Sequence, residues 1–154
     1  MDVQSLQHLY NSLYVEKYSS LNPAYNTRFF DLVIKSKAVN LVMVKDGDVP
    51  EGMAGYISGD GWMISPLFGY DPVKQDNKGI YRYLSAYLLY RANEDRLIFN
   101  QSAGGSFFKK IRRAQLHVEY IAVDFSHLPF TGRAIWSILS SLSKSIGLKI
   151  MQRY

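Results

Sequence analysis

Two stretches decide the fold: Gly79-Ile80-Tyr81-Arg82-Tyr83-Leu84 and, one short strand later, Phe99-Asn100-Gln101-Ser102-Ala103-Gly104-Gly105. The first reads as a glycine-led helix start. The second reads as a strand that ends in Asn and turns through small residues into another helix. A helix start carries partial positive charge and first-turn N–H groups with no intrahelical acceptor. Two such starts side by side at the end of a sheet suit a phosphate-bearing cofactor or an oxyanion. The pattern points to acyl transfer ahead of other chemistry.

The elements around this pair follow from periodicity and breakers. Apolar residues at Leu6, Leu9, Tyr10, Leu13 and Tyr14 have helical spacing, so residues 1–20 form an N-terminal helix. Asn22-Pro23 is a cap-and-first-turn pair, which predicts a second helix from there to about Lys35. Leu41-Val42-Met43-Val44, Gly52 to Ser58 and Trp62 to Phe68 are separated by Asp46-Gly47-Asp48 and Gly59-Asp60-Gly61, the pattern of a three-strand meander. A long helix from Lys78 to about Asn93 leads to a short strand at Leu97 to Asn100 and a short helix at Ser106 to Arg112. His117 to Asp124 reads as a strand, Phe130 to Ser145 as an amphipathic helix capped by Gly147, and Leu148 to Met151 as a last strand. The expectation is one α/β domain spanning 1–154, with a central mixed sheet and helices on both faces.

Composition bounds the function. The chain has 154 residues, 47% hydrophobic and 20% charged, enough for a real core in one domain. No run approaches the ~18–20 apolar residues of a membrane span, so no membrane role is expected. Residue 2 is Asp and no apolar leader follows it, and there is no cysteine; a cytoplasmic setting is expected. The missing cysteine also removes disulfides, thiolate metal sites and a thiol nucleophile. Two His and one Glu near one another lack metal-ligand spacing, so no metal is expected. The net charge of +5 is concentrated at Lys109-Lys110-Ile111-Arg112-Arg113. That run is a solvated helix face or a patch for a phosphorylated cofactor; nucleic acid is the weakest of its readings, with no recognition motif beside it.

In order and spacing, Leu21-Asn22-Pro23, Pro66-Leu67-Phe68-Gly69-Tyr70-Asp71, Gly79-Ile80-Tyr81-Arg82, Asn100-Gln101-Ser102-Ala103-Gly104, Glu119-Tyr120 and His127-Leu128-Pro129 together resemble the GNAT superfamily of acyl-CoA-dependent N-acyltransferases. The group they resemble is bacterial and described as acetyltransferases. The resemblance is best over 21–124, with 125–154 adding a C-terminal helix and strand. It implies a mostly antiparallel sheet with one splayed parallel strand pair, acetyl-CoA or another acyl-CoA in the splay, and a small-molecule or peptide amine as acceptor. Trp62 to Phe68 becomes the splayed strand, Lys78-Gly79-Ile80-Tyr81 the pyrophosphate turn and Leu97 to Asn100 the partner strand. Three departures stand out. The pyrophosphate loop carries Tyr81 where a small residue is usual, with Gln75 one residue out of place. No strand precedes the first helices. A full helix separates the last two strands. Two-domain relatives of the Fem type duplicate this fold, so a companion domain, a homodimer or a non-catalytic binding module stand beside the enzyme reading.

The candidate site residues carry two readings each. Lys78, Gly79, Ile80, Tyr81 and Arg82 cradle a pyrophosphate or merely begin a helix. Asn100 hydrogen-bonds the pantetheine arm and helps place the leaving sulfur, or caps a turn. Ser102 and Phe108 line the cofactor or shape the loop; no nucleophile elbow surrounds Ser102. Glu119 is the candidate base and Tyr120 the candidate acid, or they are a solvated carboxylate and a core aromatic. Tyr70 and Asp71 orient the acceptor amine, or form a turn before Pro72.

Overall fold

The structure, a computed structural model, describes residues 2–73, 79–102 and 106–151. It divides into two compact units, Met1–Ala103 and Gly104–Tyr154.

The first unit begins with α1 (Val3–Asn11), capped by the Asp2 carboxylate, which accepts from the N–H groups of Gln4 and Ser5. The chain continues without a break into a π-helical turn, Ser12–Tyr18, closed where the Ser19 N–H reaches back to the Tyr14 carbonyl at 3.1 Å. α2 spans Thr27–Ser36, and its cap is Asn26, whose side chain accepts from the Phe29 N–H at 3.0 Å. The expected start at Asn22-Pro23 is therefore four residues early. The Asn22 amide instead donates to the Tyr14 carbonyl at 2.8 Å, completing the π turn that came before it.

The meander forms as expected. β1 (Asn40–Asp46), β2 (Val49–Gly59) and β3 (Trp62–Tyr70) are antiparallel, and β4 (Ile98–Asn100) pairs with β3 in parallel. The tight β2–β3 turn holds Asp60 and Gly61 at φ 51° and 80°, the left-handed pair that a two-residue hairpin requires. The two sheet faces bury different clusters. Met53 and Leu67 pack against Leu6, Leu9 and Phe30 of α1 and α2. Ala54, Tyr56 and Met63 pack against Leu84, Leu88 and Ala92 of α3 (Ile80–Glu94). Fully burying each large apolar side chain contributes about 1.5–3 kcal/mol, so these two clusters hold the unit together.

A bulge interrupts β3 midway. Gly55 pairs with Leu67 while Ile57 pairs with Ile64, so Tyr56 faces both Ser65 and Pro66. Pro66 has no N–H to offer a ladder, and a bulge is where a strand tolerates it. The extra residue reverses the alternation: Met63 and Phe68 both turn to the α3 side, while Leu67 turns to α1. Ser65 Oγ donates to the Gly55 carbonyl at 3.0 Å and fixes the bulge to β2.

The second unit contains α4 (Ser106–Lys110), α5 (Phe130–Leu142), a π-helical turn (Ser143–Gly147) and α6 (Leu148–Met151). Two expected strands are corrected here. Residues 117–124 are not a strand, and they pair with no neighbour among the described residues. Alternating branched residues fit a pleated, half-buried surface, but the pairing itself needs a partner edge. Leu148–Met151 is helical. Gly147 does not cap α5, because it adopts no left-handed φ and the helix passes through it.

Candidate active site

The geometry of the site follows from β3. Its parallel pairing with β4 runs through Trp62↔Ile98, Met63↔Phe99 and Ile64↔Asn100, and there β4 ends. β3 continues through the bulge to Tyr70, bound to β2 by pairs as far as Gly52↔Tyr70. Between Ser65 and Tyr70, the edge turned away from β2 has no strand partner among the described residues. Among the described residues this leaves a wedge in the strand pairing, bounded by the end of β4 and by the Ser65–Tyr70 stretch of β3.

The C-terminal end of β3 is lined by aromatic side chains from three elements. Tyr81, in the first turn of α3, packs on Phe68 and Tyr70 of β3, with ring centroids 5.5 Å and 6.2 Å apart. The π-helical turn adds Tyr14, Lys17 and Tyr18. Lys17 Nζ lies 5.7 Å from the Tyr70 ring centroid and 5.9 Å from that of Tyr18, within cation–π range. Tyr70 is 5% exposed, and its hydroxyl is pushed up to about 12 by burial first, and then by the neighbouring Tyr18. These π-turn residues were missed in the sequence because a helical tyrosine repeat does not reveal which strand end it faces.

α3 follows Gly79, at φ +63°, and no side chain among the described residues caps its first turn. Among the described residues, a Cβ placed on Gly79 would come within 4 Å of Arg82 Nε alone, so a guanidinium stands beside the helix start. Close to this start, over β1 and β2, lies a cleft of about 530 Å³ lined by Met43, Lys45, Asp46, Glu51, Ile80 and Tyr83.

No protein-family profile and no curated protein matches this sequence. Solved structures do match its shape. A predicted acetyltransferase from Clostridium acetobutylicum, solved with acetyl-CoA, has a TM-score of 0.57 at 12% identity, covering 84% of this chain and 96% of that one. The chain has the GNAT fold. The same fold appears in a Trypanosoma brucei acetyltransferase (TM-score 0.53, 14% identity, 80% and 93% covered). It appears too in a Bacillus halodurans protein described as a transcriptional regulator (TM-score 0.56, 17% identity, 80% and 93% covered). At such identities the likeness is one of fold.

Of the residues expected to form a site in this GNAT fold, Tyr70 and Tyr81 are in contact within the first unit, and Phe108, Glu119 and Tyr120 belong to the second. Gly79, Ile80, Tyr81 and Arg82 do form a helix start; Ile80 is buried, Tyr81 half-buried and Arg82 exposed. Lys78 lies outside the described residues. Asn100 ends β4, and its side chain accepts from the Ser102 N–H at 2.6 Å. Ser102 sits at φ +58°, so this pair forms the turn that leaves the strand. Asp71 caps a turn in the same way, accepting from the Val73 N–H at 2.9 Å, and its own N–H donates to the Glu51 carbonyl at 3.4 Å. Tyr70 stands in the aromatic cluster. In the second unit the Arg112 guanidinium stacks 3.4 Å from the Phe108 ring centroid and donates to its carbonyl at 2.9 Å. Lys109 is lowered by burial, against the attraction of Glu119. Tyr120 is exposed. Among the described residues no three acidic or histidine side chains gather to hold a metal, and no helix is long and apolar enough to cross a membrane.

Proposed function

We propose that this chain is an N-acyltransferase that takes an acyl-CoA, acetyl-CoA first among them, into the wedge beside β3 and passes the acyl group to a primary amine. The observation that carries this reading is the end of β3–β4 pairing at Ile64↔Asn100 while β3 runs on to Tyr70. The β3 edge, without a strand partner among the described residues, offers backbone groups at strand spacing to the amide-bearing pantetheine arm. The helix start at Gly79, with the Arg82 guanidinium beside it, suits a pyrophosphate. Tyr81 packs on Phe68 and Tyr70, so its ring lies against β3 as a wall of the wedge.

In the transfer, the amine nitrogen attacks the thioester carbon, a C–N bond forms and the C–S bond breaks. The nitrogen gives up one proton and the departing thiolate takes one. A bound thioester supplies the activated acyl carbon. Tyr70 retains the proposed role of orienting the acceptor amine, and its buried hydroxyl, hydrogen-bonded to Tyr18, stays protonated throughout the neutral range. Glu119 and Tyr120 retain the proposed roles of base and acid, Ser102 and Phe108 those of cofactor contacts, and a small-molecule or peptide amine is the acceptor. The absence of cysteine agrees with a cytoplasmic setting and with direct transfer that needs no acyl-enzyme.

A second reading is a GNAT-fold binding module or one half of a two-domain enzyme. It is favoured by the turn-capping duties of Asn100 and Asp71, which tie up two of the side chains expected to do chemistry. One titration separates the two. Acetyl-CoA at about 100 times its dissociation constant adds about 2.7 kcal/mol to the stability of a protein that binds it only when folded. A shift with acetyl-CoA, together with thiol release in the presence of an amine panel, supports the enzyme. A shift with no thiol release supports the module. No shift with any CoA ester at millimolar concentration removes the enzyme reading for this chain and leaves the module.

A further inference from the structure

We propose that Lys17 selects the acceptor by pairing with a carboxylate that the acceptor carries beside its reacting amine. The substrate class is then a free amino acid, not a plain alkylamine or a peptide N-terminus. The inference rests on the acyltransfer reading and names the acceptor for that same site. Every contact it uses lies within the first unit. Lys17 stands on the π-helical turn Ser12–Tyr18, a backbone form that recurs at functional sites. Two donors meet on the Tyr14 carbonyl to hold that turn closed, the Ser19 N–H at 3.1 Å and the Asn22 amide at 2.8 Å. The turn carries Lys17 Nζ to 5.7 Å from the ring centroid of Tyr70, which itself packs on Tyr81 at the end of β3.

Charge decides what this lysine can hold. The ring faces of Tyr18 and Tyr70 attract the cation but leave its N–H donors without an oxygen acceptor. Among the described residues no carboxylate pairs with Lys17, and its side chain is exposed on this unit. A cation without a counter-charge therefore stands beside Tyr70, the residue proposed to orient the amine. An alkylammonium arriving there meets like charge and gains nothing. An amino acid brings its own anion, and its carboxylate takes the Lys17 donors in charge-assisted hydrogen bonds. In the same reading the pyrophosphate of the thioester has its place at Gly79 and Arg82, which leaves Lys17 to the acceptor.

The test measures thiol release from acetyl-CoA by the full chain with a panel of amino acids, each set against the amine left when its carboxylate is removed. The wild type favours the amino acid of its substrate pair at least tenfold in kcat/KM, about what one charge-assisted hydrogen bond supplies. Lys17→Ala loses that preference through KM, Lys17→Arg keeps it and Lys17→Glu reverses it, an order that a merely structural lysine would not give. Asn22→Ala, which takes one donor from the Tyr14 carbonyl, weakens the preference. Acetyl-CoA stabilises these variants as it does the wild type. A preference missing from the wild type, or intact in Lys17→Ala, overturns the proposal and leaves acyl transfer standing. So does a Lys17→Ala variant that is no longer stabilised by acetyl-CoA, because the lysine then serves the thioester. Thiol release with no member of any pair overturns it too, and the acetyl-CoA shift of the wild type then tells whether thioester binding falls with it.

Discussion

Replacing Gly69 by Ala tests how closely α1 and the wedge strand are fitted. Gly69 lies on β3 opposite Met53, and an added Cβ would meet three backbone atoms of α1: Leu9 C at 2.8 Å, Leu9 O at 2.9 Å and Tyr10 N at 2.9 Å. Ordinary carbon contacts start at about 3.5 Å, so α1 must withdraw by roughly 0.6 Å. No side chain can rotate away in its place. Overpacking of this kind costs about 3 kcal/mol, the upper part of its usual range. The entropy gained on replacing a strand glycine offsets about 0.5–1 kcal/mol, leaving about 2 kcal/mol. For a chain of this length that is a fall in Tm of about 4–8 °C. Gly59→Ala, whose Cβ meets nothing within 4 Å, is the control and leaves Tm unchanged or slightly raised. The assay is thermal unfolding followed by circular dichroism, with urea unfolding to confirm that both variants lose structure in one step. Equal Tm values for the two variants would falsify the claim that α1 sits backbone-to-backbone on this strand.

Two further predictions concern the aromatic cluster. Tyr10 and Tyr70 are both raised to about 12 by burial, so between pH 10 and 12 the unfolded chain loses protons that the folded chain keeps. Stability from these groups is therefore complete below pH 10 and falls as pH rises from 10 to 12; Tyr70→Phe should flatten part of that fall in urea midpoints, and an unchanged slope counts against the buried hydroxyl. Tyr81→Ala removes its contacts with Phe68 and Tyr70, each worth about 0.5–1.5 kcal/mol beyond area. It should lower Tm without weakening acetyl-CoA binding, because the ring is a wall of the wedge; a tenfold gain in affinity would mean that the ring obstructs the helix start instead.

What the sequence made legible was local. The glycine and aspartate turns at 46–48 and 59–61 located the meander, since left-handed φ values at Asp60 and Gly61 admit few alternatives. The helix led by Gly79 and the strand ending at Asn100 were readable for the same reason. Boundaries set by competition were not. Asn22 and Asn26 are both good caps, and only the Asn22 contact with the Tyr14 carbonyl, eight residues away, decides between them. Residues 117–124 show that a branched, alternating segment does not make a strand without an edge to join. Leu148–Met151 went astray on Gly147, a residue that ends a helix when its φ is positive and continues one when it is not. At the candidate site, the turn duties of Asn100 and Asp71 were among the readings open in the sequence. The approach of Lys17, Tyr14 and Tyr18 to Tyr70 was not, because it depends on a π turn that no pattern announces.

Amide hydrogen exchange with and without acetyl-CoA tests most directly whether the thioester lies in the wedge. A ligand seated there slows exchange along the β3 edge at Ser65 and Leu67 to Tyr70, Pro66 having no amide, and at Gly79 to Arg82. The β1–β2 side, including Lys45 and Asp46, should be unchanged. Protection confined to the cleft beside Lys45 and Glu51, or no change anywhere at saturating ligand, would contradict that placement.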